Sequence, residues 1–318
     1  MKLKSIAALA MASMVALTGC GGGKGNTANL KLGTGGTTGT YYAYGGVVAN
    51  ILNDKVDGLN ITVQSTGASK ANIFLIDDKE ADLAIVQNDV MDYAFNGTDL
   101  FEGDGAVDTF ASVAGLYAEV CQIIAAEGIS SIEDLKGKRV SVGDAGSGVE
   151  FNARQILAAY GISFDDITVQ NLGFGDSADA FKDGKIDAFF CTAGAPTTAV
   201  VELSSSKAIK LLEIDDAHAA KLIEAYPFYT PFAIPGGSYN GVDKDVMTIA
   251  VKATLIASKN LSEDTIYKLT KALFDNKDAI TQGHAKGAEL DIQYAIEGIS
   301  VPFHPGAQKY YKEVGALS

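Results

Sequence analysis

The sequence predicts an α/β chain of two lobes, each a mainly parallel sheet flanked by helices, with a cleft between them and two chain crossings as the hinge. Three observations lead there. Strands and helices alternate at the spacing of right-handed crossovers. The alternating unit occurs twice, and each copy opens on a Gly/Ser/Thr loop between a strand and a helix. In such sheets ligands bind beyond the carboxyl ends of the strands.

The first unit starts at Leu30-Lys31-Leu32, a short apolar strand, and continues into Tyr41, Tyr44, Val48 and Leu52, which recur at helical spacing. Residues 33–40, GTGGTTGT, are the turn between them. A helix starting there offers unpaired backbone N–H groups and the positive end of its dipole to an anion. The loop is not a phosphate P-loop, because no Lys follows its last glycine. Nor is it a dinucleotide fingerprint, since Thr38 stands where the third Gly belongs. A plain strand-to-helix turn remains the competing reading.

The repeat continues through Ile61-Thr62-Val63-Gln64, followed by Ser65-Thr66-Gly67, and Ile167-Thr168-Val169-Gln170, followed by Asn171-Leu172-Gly173. Its flanks match as well. Residues 31–35 correspond to 141–146, and 80–87 to 185–192. Each half therefore reads strand, loop, helix, strand, loop, helix, strand.

In the second unit Val140-Ser141-Val142-Gly143 is the strand, residues 144–148 (DAGSG) the loop, and Glu150 opens a helix that Gly161 ends. Ser147 and Gly148 thus match Gly39 and Thr40 at a helix start. Ser69 and the pair Asp176-Ser177 mark two further starts, where Ser69 and Ser177 read best as caps. Thr66, Gly67 and Ala68 favour ligand contact. The chain has two arginines. Arg139 sits at a strand start on the surface, whereas Arg154, just past the DAGSG loop, suits either a ligand carboxylate or an internal salt bridge.

Beyond the second unit, residues 215–226 read as a helix and 227–237 as a Pro- and aromatic-rich connector. Residues 246–257 read as a buried strand, and 261–274 and 307–314 as helices, the first started by Ser262-Glu263-Asp264. This tail has no loop-rich unit of its own, so it returns to the first lobe. The crossings near residues 116–124 and 228–251 then form the hinge.

The beginning of the sequence has a different character. A Lys2/Lys4 n-region precedes an apolar stretch too short to span a bilayer, and Leu17-Thr18-Gly19-Cys20 ends it with small residues. This resembles a bacterial lipoprotein signal, which implies cleavage before Cys20 and acylation of that Cys. Residues 1–19 are then the signal peptide and 20–29 a flexible tether, followed by lobe I (30–117 and 245–318) and lobe II (118–244).

Composition excludes some function classes. The formal charge of −14 becomes −16 without Lys2 and Lys4, which argues against nucleic acid. The hydrophobic fraction of 47% includes no second apolar run of spanning length, so the membrane is met only through the anchor. No Cys/His spacing suits a metal. Cys121 and Cys191 lie in strand-like runs, with buried free thiols the default and a bridge the alternative.

Residues 35–42 (GGTTGTYY), 66–69 (TGAS), 84–89 (AIVQND), 116–119 (LYAE), 146–148 (GSG), 187–190 (DAFF) and 304–307 (HPGA) as a set resemble the TAXI-type solute-binding proteins of TRAP transporters. The resemblance covers nearly the whole chain after the signal. It implies a periplasmic-binding fold of the second topological type, a small carboxylate ligand such as glutamate, glutamine or 2-oxoglutarate, and delivery to a TRAP-type membrane permease. Transferred position by position, it puts the ligand on Gly39, Thr40 and Tyr41, on Thr66, Gly67 and Ala68, on Gln87 and Asn88, and on Tyr117. Ser147 and Gly148 come from the second lobe, with Ala195 and Pro196 nearby. Val149 stands where the family commonly has Thr, which removes one hydroxyl.

The expected mechanism is closure of two lobes around the carboxylate, with Thr40, Thr66 and Ser147 as hydroxyl donors and Tyr41 and Tyr117 as walls. An enzyme is not expected: there is no GxSxG elbow or HExxH, and His218, His284 and His304 sit in surface or turn contexts. No cofactor is implied. A monomer is expected, outside the cytoplasm, in the periplasm or on the outer face of the cytoplasmic membrane. The alternatives are an oxyanion such as phosphate as ligand, and an ABC permease or a sensor as recipient.

Overall fold

The computed structural model describes residues 27–318, so the signal peptide, Cys20 and most of the tether lie outside the described residues. The first unit is β1 (Ala28–Gly33), α1 (Thr40–Lys55), β2 (Leu59–Gln64), α2 (Ser69–Asp77) and β3 (Leu83–Gln87), followed by α3 (Asn88–Asn96) and the long β4 (Phe110–Ala125). The second is β5 (Arg139–Ser141), α4 (Gly148–Ala159), β6 (Thr168–Gln170), α5 (Phe174–Lys182) and β7 (Ala188–Ala193), followed by α6 (Thr198–Ser206), β8 (Lys210–Leu211) and α7 (Asp216–Ala225). The tail comprises β9 (Thr230–Ile234), β10 (Val246–Ser258), α8 (Glu263–Asp275), α9 (Lys277–Gly283), α10 (Ile292–Ile296) and α11 (Pro305–Glu313).

Within each unit the pairing is parallel, as the repeat requires. β1 pairs with β2 and β3, and β5 with β6 and β7. The register carries the repeat into space: Leu32 faces Leu83 as Val140 faces Ala188. The helices form because their apolar positions fall on one stripe. In α1, Tyr41, Tyr44, Val48 and Leu52 are all buried against the sheet.

The structure departs from two separate sheets. β4 and β10 are long enough to run through both lobes, and they pair antiparallel from Phe110–Ser258 to Val120–Ala250. They fuse the lobes into one sheet of order β2-β1-β3-β10-β4-β7-β5-β6. Two register shifts interrupt this pairing, between Ala253 and Thr254 and between Leu255 and Ile256, where bulges increase the local twist. The core divides accordingly. Val113, Tyr117 and Leu255 pack in the first lobe, and Cys121, Ile123 and Val251 in the second.

The connector 227–237 contains a strand that the sequence analysis did not anticipate. β9 includes Pro231 and pairs only with β10, as an edge position tolerates a residue lacking an N–H. Cys121 and Cys191 are both free and buried. The β4–β7 register puts Cys121 opposite Thr192 and Cys191 opposite Gln122, so the two thiols point to opposite faces of the sheet and into different core clusters.

Buried amides hold the loops of the units in place. Asn72, fully buried in α2, donates to the carbonyls of Thr34 (2.6 Å) and Ile85 (2.9 Å), and its oxygen accepts from Thr66 Oγ1 at 2.6 Å. One side chain thereby ties the ends of β1, β2 and β3 together. Ser177 stands at the same place in α5, the fourth residue of the helix, and is shared with Ser141 Oγ at 2.8 Å. It is therefore an internal staple, and Gly173 rather than Asp176 or Ser177 caps α5.

A second polar group joins the lobes behind the cleft. Asn152 of α4 accepts from Gln87 Nε2 (2.9 Å) and donates to Asp89 Oδ2 (3.2 Å) and Tyr229 OH (2.8 Å). Tyr229 OH donates to Gln155 Oε1 at 2.5 Å, and Gln155 donates to Tyr93 OH at 3.3 Å. Burial pushes the Asp89 carboxyl from 3.8 up to about 7, against the pull of hydrogen bonds from Val90 N–H and Asn152.

Two outcomes follow from these networks. Asn72→Ala leaves two carbonyls and the Thr66 hydroxyl without their partner, and should lower unfolding free energy by about 2–4 kcal/mol in denaturant titration. Asp89 binds its proton more tightly folded than unfolded, so its contribution to stability is greatest below the unfolded value and declines as pH rises towards 7. Chemical unfolding measured from pH 4 to 8 should show this decline, with a shallower slope in Asp89→Asn.

Candidate functional site

The cleft between the lobes encloses a cavity of about 50 Å³, built almost entirely from helix starts. α1 contributes Gly39, Thr40 and Tyr41, α2 Ala68 and Ser69, α4 Ser147, Gly148 and Val149, and α5 Phe174. Four helix N-termini, two from each lobe, thus line one space. This follows from the parallel units, in which each helix begins at the carboxyl end of the preceding strand.

Each start is shaped by a local constraint. Ser147 caps α4, accepting from Glu150 N–H at 3.3 Å, while the Glu150 carboxylate accepts from Gly146 N–H at 2.7 Å. The helix therefore begins at Gly148, two residues ahead of Glu150, and the spacing Ser147-x-x-Glu150 is the capping signature that marks it. Ala68, in a positive-φ conformation (67°), caps α2 in place of Ser69. The Ser69 hydroxyl instead accepts from Gln87 N–H at 3.1 Å.

The lobes meet closely over this cavity. Thr40 Oγ1 donates to Gly194 O across the cleft at 3.1 Å. A Cβ on Gly148 would lie 1.7 Å from Gln87 Oε1, and one on Gly194 would lie 2.9 Å from both Lys286 Cε and Thr40 Cγ2. Glycine at these positions lets the second lobe descend on the first.

The floor is polar and acidic. Glu119, from the middle of β4, is 2% exposed and accepts from Tyr41 OH at 2.5 Å. Burial pushes its carboxyl well above the usual range; the Tyr41 hydrogen bond and the Lys286 ammonium oppose that rise, and Asp89 adds to it. Lys286 itself is ion-paired with Glu289 at 2.6 Å, and Glu289 also accepts from Ala118 N–H at 2.8 Å. Beneath Glu119, Tyr44 and Tyr117 meet edge to face at 5.0 Å between ring centres.

Of the residues named from the sequence, Gly39, Thr40, Tyr41, Ala68, Gln87, Ser147 and Gly148 line the cavity. The others stand elsewhere. Thr66 is committed to Thr34 O (2.9 Å), Asn72 and Ala68 N–H inside its own loop, and Gly67 lies beside it off the wall. Asn88 accepts from Lys252 N–H at 2.9 Å, and Tyr117 is fully buried behind Glu119. Ala195 and Pro196, joined by a cis peptide, follow the wall residues Thr192 and Ala193 without lining the cavity.

Arg154 turns away from the site, 3.5 Å from Glu150 and 3.9 Å above the Phe164 ring, and Arg139 pairs with Asp187 at 2.6 Å. None of the three histidines lines the cavity. His304 caps α11, His218 stacks on Tyr160 at 3.7 Å, and His284 packs on Tyr44.

The sequence analysis passed over Glu119, Ser69, Asp144, Phe174, Thr192 and Ala193 as wall residues. For Glu119 a signal existed. A carboxylate in the apolar run LYAEV (116–120) is out of place unless it is paired or used.

Comparison with known proteins agrees with this architecture. Among solved structures the chain is similar to PhnD1 from Prochlorococcus marinus in complex with methylphosphonate, at 11% identity over 91% of this chain and 99% of that one, with a TM-score of 0.56. It is also similar to a putative L-cystine ABC transporter from Listeria monocytogenes (16% identity, 83% and 98% covered, TM-score 0.52). A third similar structure is the GluR0 ligand-binding core from Nostoc punctiforme in complex with L-glutamate (17% identity, 82% and 100% covered, TM-score 0.50). At these identities the likeness is one of fold, the two-lobed type II periplasmic-binding architecture. The pattern of the NMT1-like family matches residues 32–315, nearly the whole described chain, and the protein belongs to that family.

Proposed function

We propose that this protein is an extracytoplasmic solute-binding protein that captures a small carboxylate, such as glutamate, glutamine or 2-oxoglutarate, between its lobes and presents it to a membrane permease. The observation that carries this reading is the convergence of four helix N-termini, two from each lobe, on one closed cavity. Such termini supply backbone N–H donors and a favourable dipole field to a single negative charge without a cationic side chain. Among the described residues no basic side chain lines the cavity.

Closure follows from the same geometry. β4 and β10 link the lobes, and bending at their bulges opens the cleft. The solute then enters between α1 and α4. On closing, Thr40 reaches Gly194 and Gln87 reaches Asn152, while Tyr41 and Phe174 exclude water. The lobes divide at 30–117 with 245–318, and 118–244. The closed surface, which differs from the open one, is what a permease distinguishes.

The finer reading is a TAXI-type protein serving a TRAP permease. It is supported by the motif set GGTTGTYY (35–42), TGAS (66–69), AIVQND (84–89) and GSG (146–148). Acylation of Cys20 would hold the protein at the envelope, as a monomer, outside the cytoplasm. A second reading, an oxyanion ligand delivered to an ABC permease or a sensor, is favoured by the fold shared with the methylphosphonate-bound PhnD1. Helix N-termini suit oxyanions equally well.

Thermal unfolding of residues 26–318 against glutamate, glutamine, 2-oxoglutarate, other dicarboxylates and phosphate tests the proposal. A ligand at a hundredfold excess over its dissociation constant should stabilise by about 2.7 kcal/mol, a rise of a few degrees. A rise with phosphate or methylphosphonate and with no carboxylate overturns the carboxylate reading. Gly148→Ala puts a methyl group where Gln87 Oε1 lies, so the lobes cannot close fully. Calorimetry should find ligand affinity reduced at least tenfold in this variant, with the melting temperature of the ligand-free protein nearly unchanged.

A further inference from the structure

Beyond the carboxylate, the cavity has a second chemical preference that the helix starts do not explain. Its floor presents acceptors. Glu119 is 2% exposed and holds one donor, the Tyr41 phenol at 2.5 Å. Gln87 Oε1, also from a side chain only 2% exposed, has no hydrogen-bond partner among the described residues, although the Nε2 of the same amide is bonded to Asn152. Both side chains line the cavity. A buried acceptor left unmade costs about 1–3 kcal/mol, and a buried carboxylate costs more unless a cation meets it.

The described residues supply no such cation at the cavity wall. Lys286, the nearest buried ammonium, is held by Glu289 at 2.6 Å. The other charges facing Glu119 are unfavourable or neutral: Asp89 from α3, and the phenols of Tyr41 and Tyr117. A ligand that brought only negative charge would therefore meet a buried acid on the floor. One that brought an ammonium would satisfy both acceptors with its three N–H donors.

We infer that Glu119 is the counter-ion for a protonated amine on the ligand, and that the cleft selects α-amino acids over carboxylates lacking an amino group. The inference rests on the carboxylate-binding reading, because the helix N-termini must hold the carboxylate while Glu119 and Gln87 hold the ammonium. In this arrangement donors and acceptors of the site match a zwitterion: N–H groups from four helix starts for the carboxylate, and Glu119 with Gln87 Oε1 for the ammonium. Tyr41 belongs to both, as a residue of the α1 start and as the donor that orients the Glu119 carboxyl.

The test is calorimetric titration with matched pairs: L-glutamate against 2-oxoglutarate and glutarate, and L-alanine against pyruvate and propionate. Wild type should bind the better amino acid at least thirtyfold more tightly than its counterparts without the amine. Glu119→Gln keeps an acceptor for Tyr41 and removes the charge. It should weaken the amino acid at least thirtyfold, while affinity for the keto or deamino acid stays the same or rises. That crossing separates a ligand counter-ion from a merely structural role, which would weaken both alike. Circular dichroism and the melting temperature of the variant confirm that it is folded.

Equal or tighter binding of 2-oxoglutarate by wild type, or amino-acid affinity unchanged in Glu119→Gln, overturns the inference and leaves the carboxylate reading intact. Binding of phosphate or methylphosphonate with no binding of any carboxylate overturns both. Should Glu119→Gln fail to fold, Gln87→Leu, which removes the second acceptor, is read in the same way with a smaller expected loss of about fivefold.

Discussion

The pairing of β4 with β10 is the constraint on which the rest of this molecule depends. These two strands are the only ones among the described residues that contribute buried side chains to the cores of both lobes. β3 and β9 hang from β10, and β7 and β8 from β4. A chain that leaves the first lobe along one strand and returns along its antiparallel partner joins two units at a narrow waist, about which the proposed closure turns. The bulges in that waist supply the place to bend, because an interrupted ladder twists more easily than a regular one. Cleft, closure and site all follow from this arrangement.

Around that waist the polar groups divide their labour. Those distant from the cleft fix loops within a lobe, as Asn72 and Ser177 do at equivalent places of the two units. Between the lobes, Asn152 meets Gln87 and Asp89, while Asp89 also accepts from Val90 N–H and Asn152 also donates to Tyr229 within their own lobes. In the proposed opening, water replaces the bonds between the lobes at small net cost, and closure restores them. In the proposed binding cycle, a ligand held between the lobes shifts the population towards the closed state.

The chemistry of the cavity follows from what it lacks as much as from what it holds. With no basic side chain among the described residues on its wall, the donors that the cavity offers to negative charge are helix N-termini, which cost no side-chain entropy. The single deep carboxyl, Glu119, sits at the waist itself, on the strand shared by the two lobes. Under the proposed function, a ligand at Glu119 would touch this shared strand as well as both lobes.

Fold class, the repeat and the position of the cleft were legible in the sequence because they rest on local periodicity: Leu30 to Leu32, the 3.6-residue spacing of Tyr41, Tyr44 and Val48, and the loops between. So were helix starts at Thr40 and near Ser147, since glycine and serine act there within their own few residues. Single side chains were harder. Thr66 reads as a ligand hydroxyl, yet Asn72, Thr34 O and Ala68 N–H occupy it, and Ser147 is shared with its own helix. Cys121 and Cys191 look pairable until the register sends them to opposite faces. The sequence by itself determined most of the strands, helices and turns, β9 excepted, and so where the cleft lies. Only the tertiary structure decided which polar groups remain uncommitted there, because a hydroxyl or amide bonds whichever partner packing brings within about 3 Å, and those partners come from distant parts of the chain.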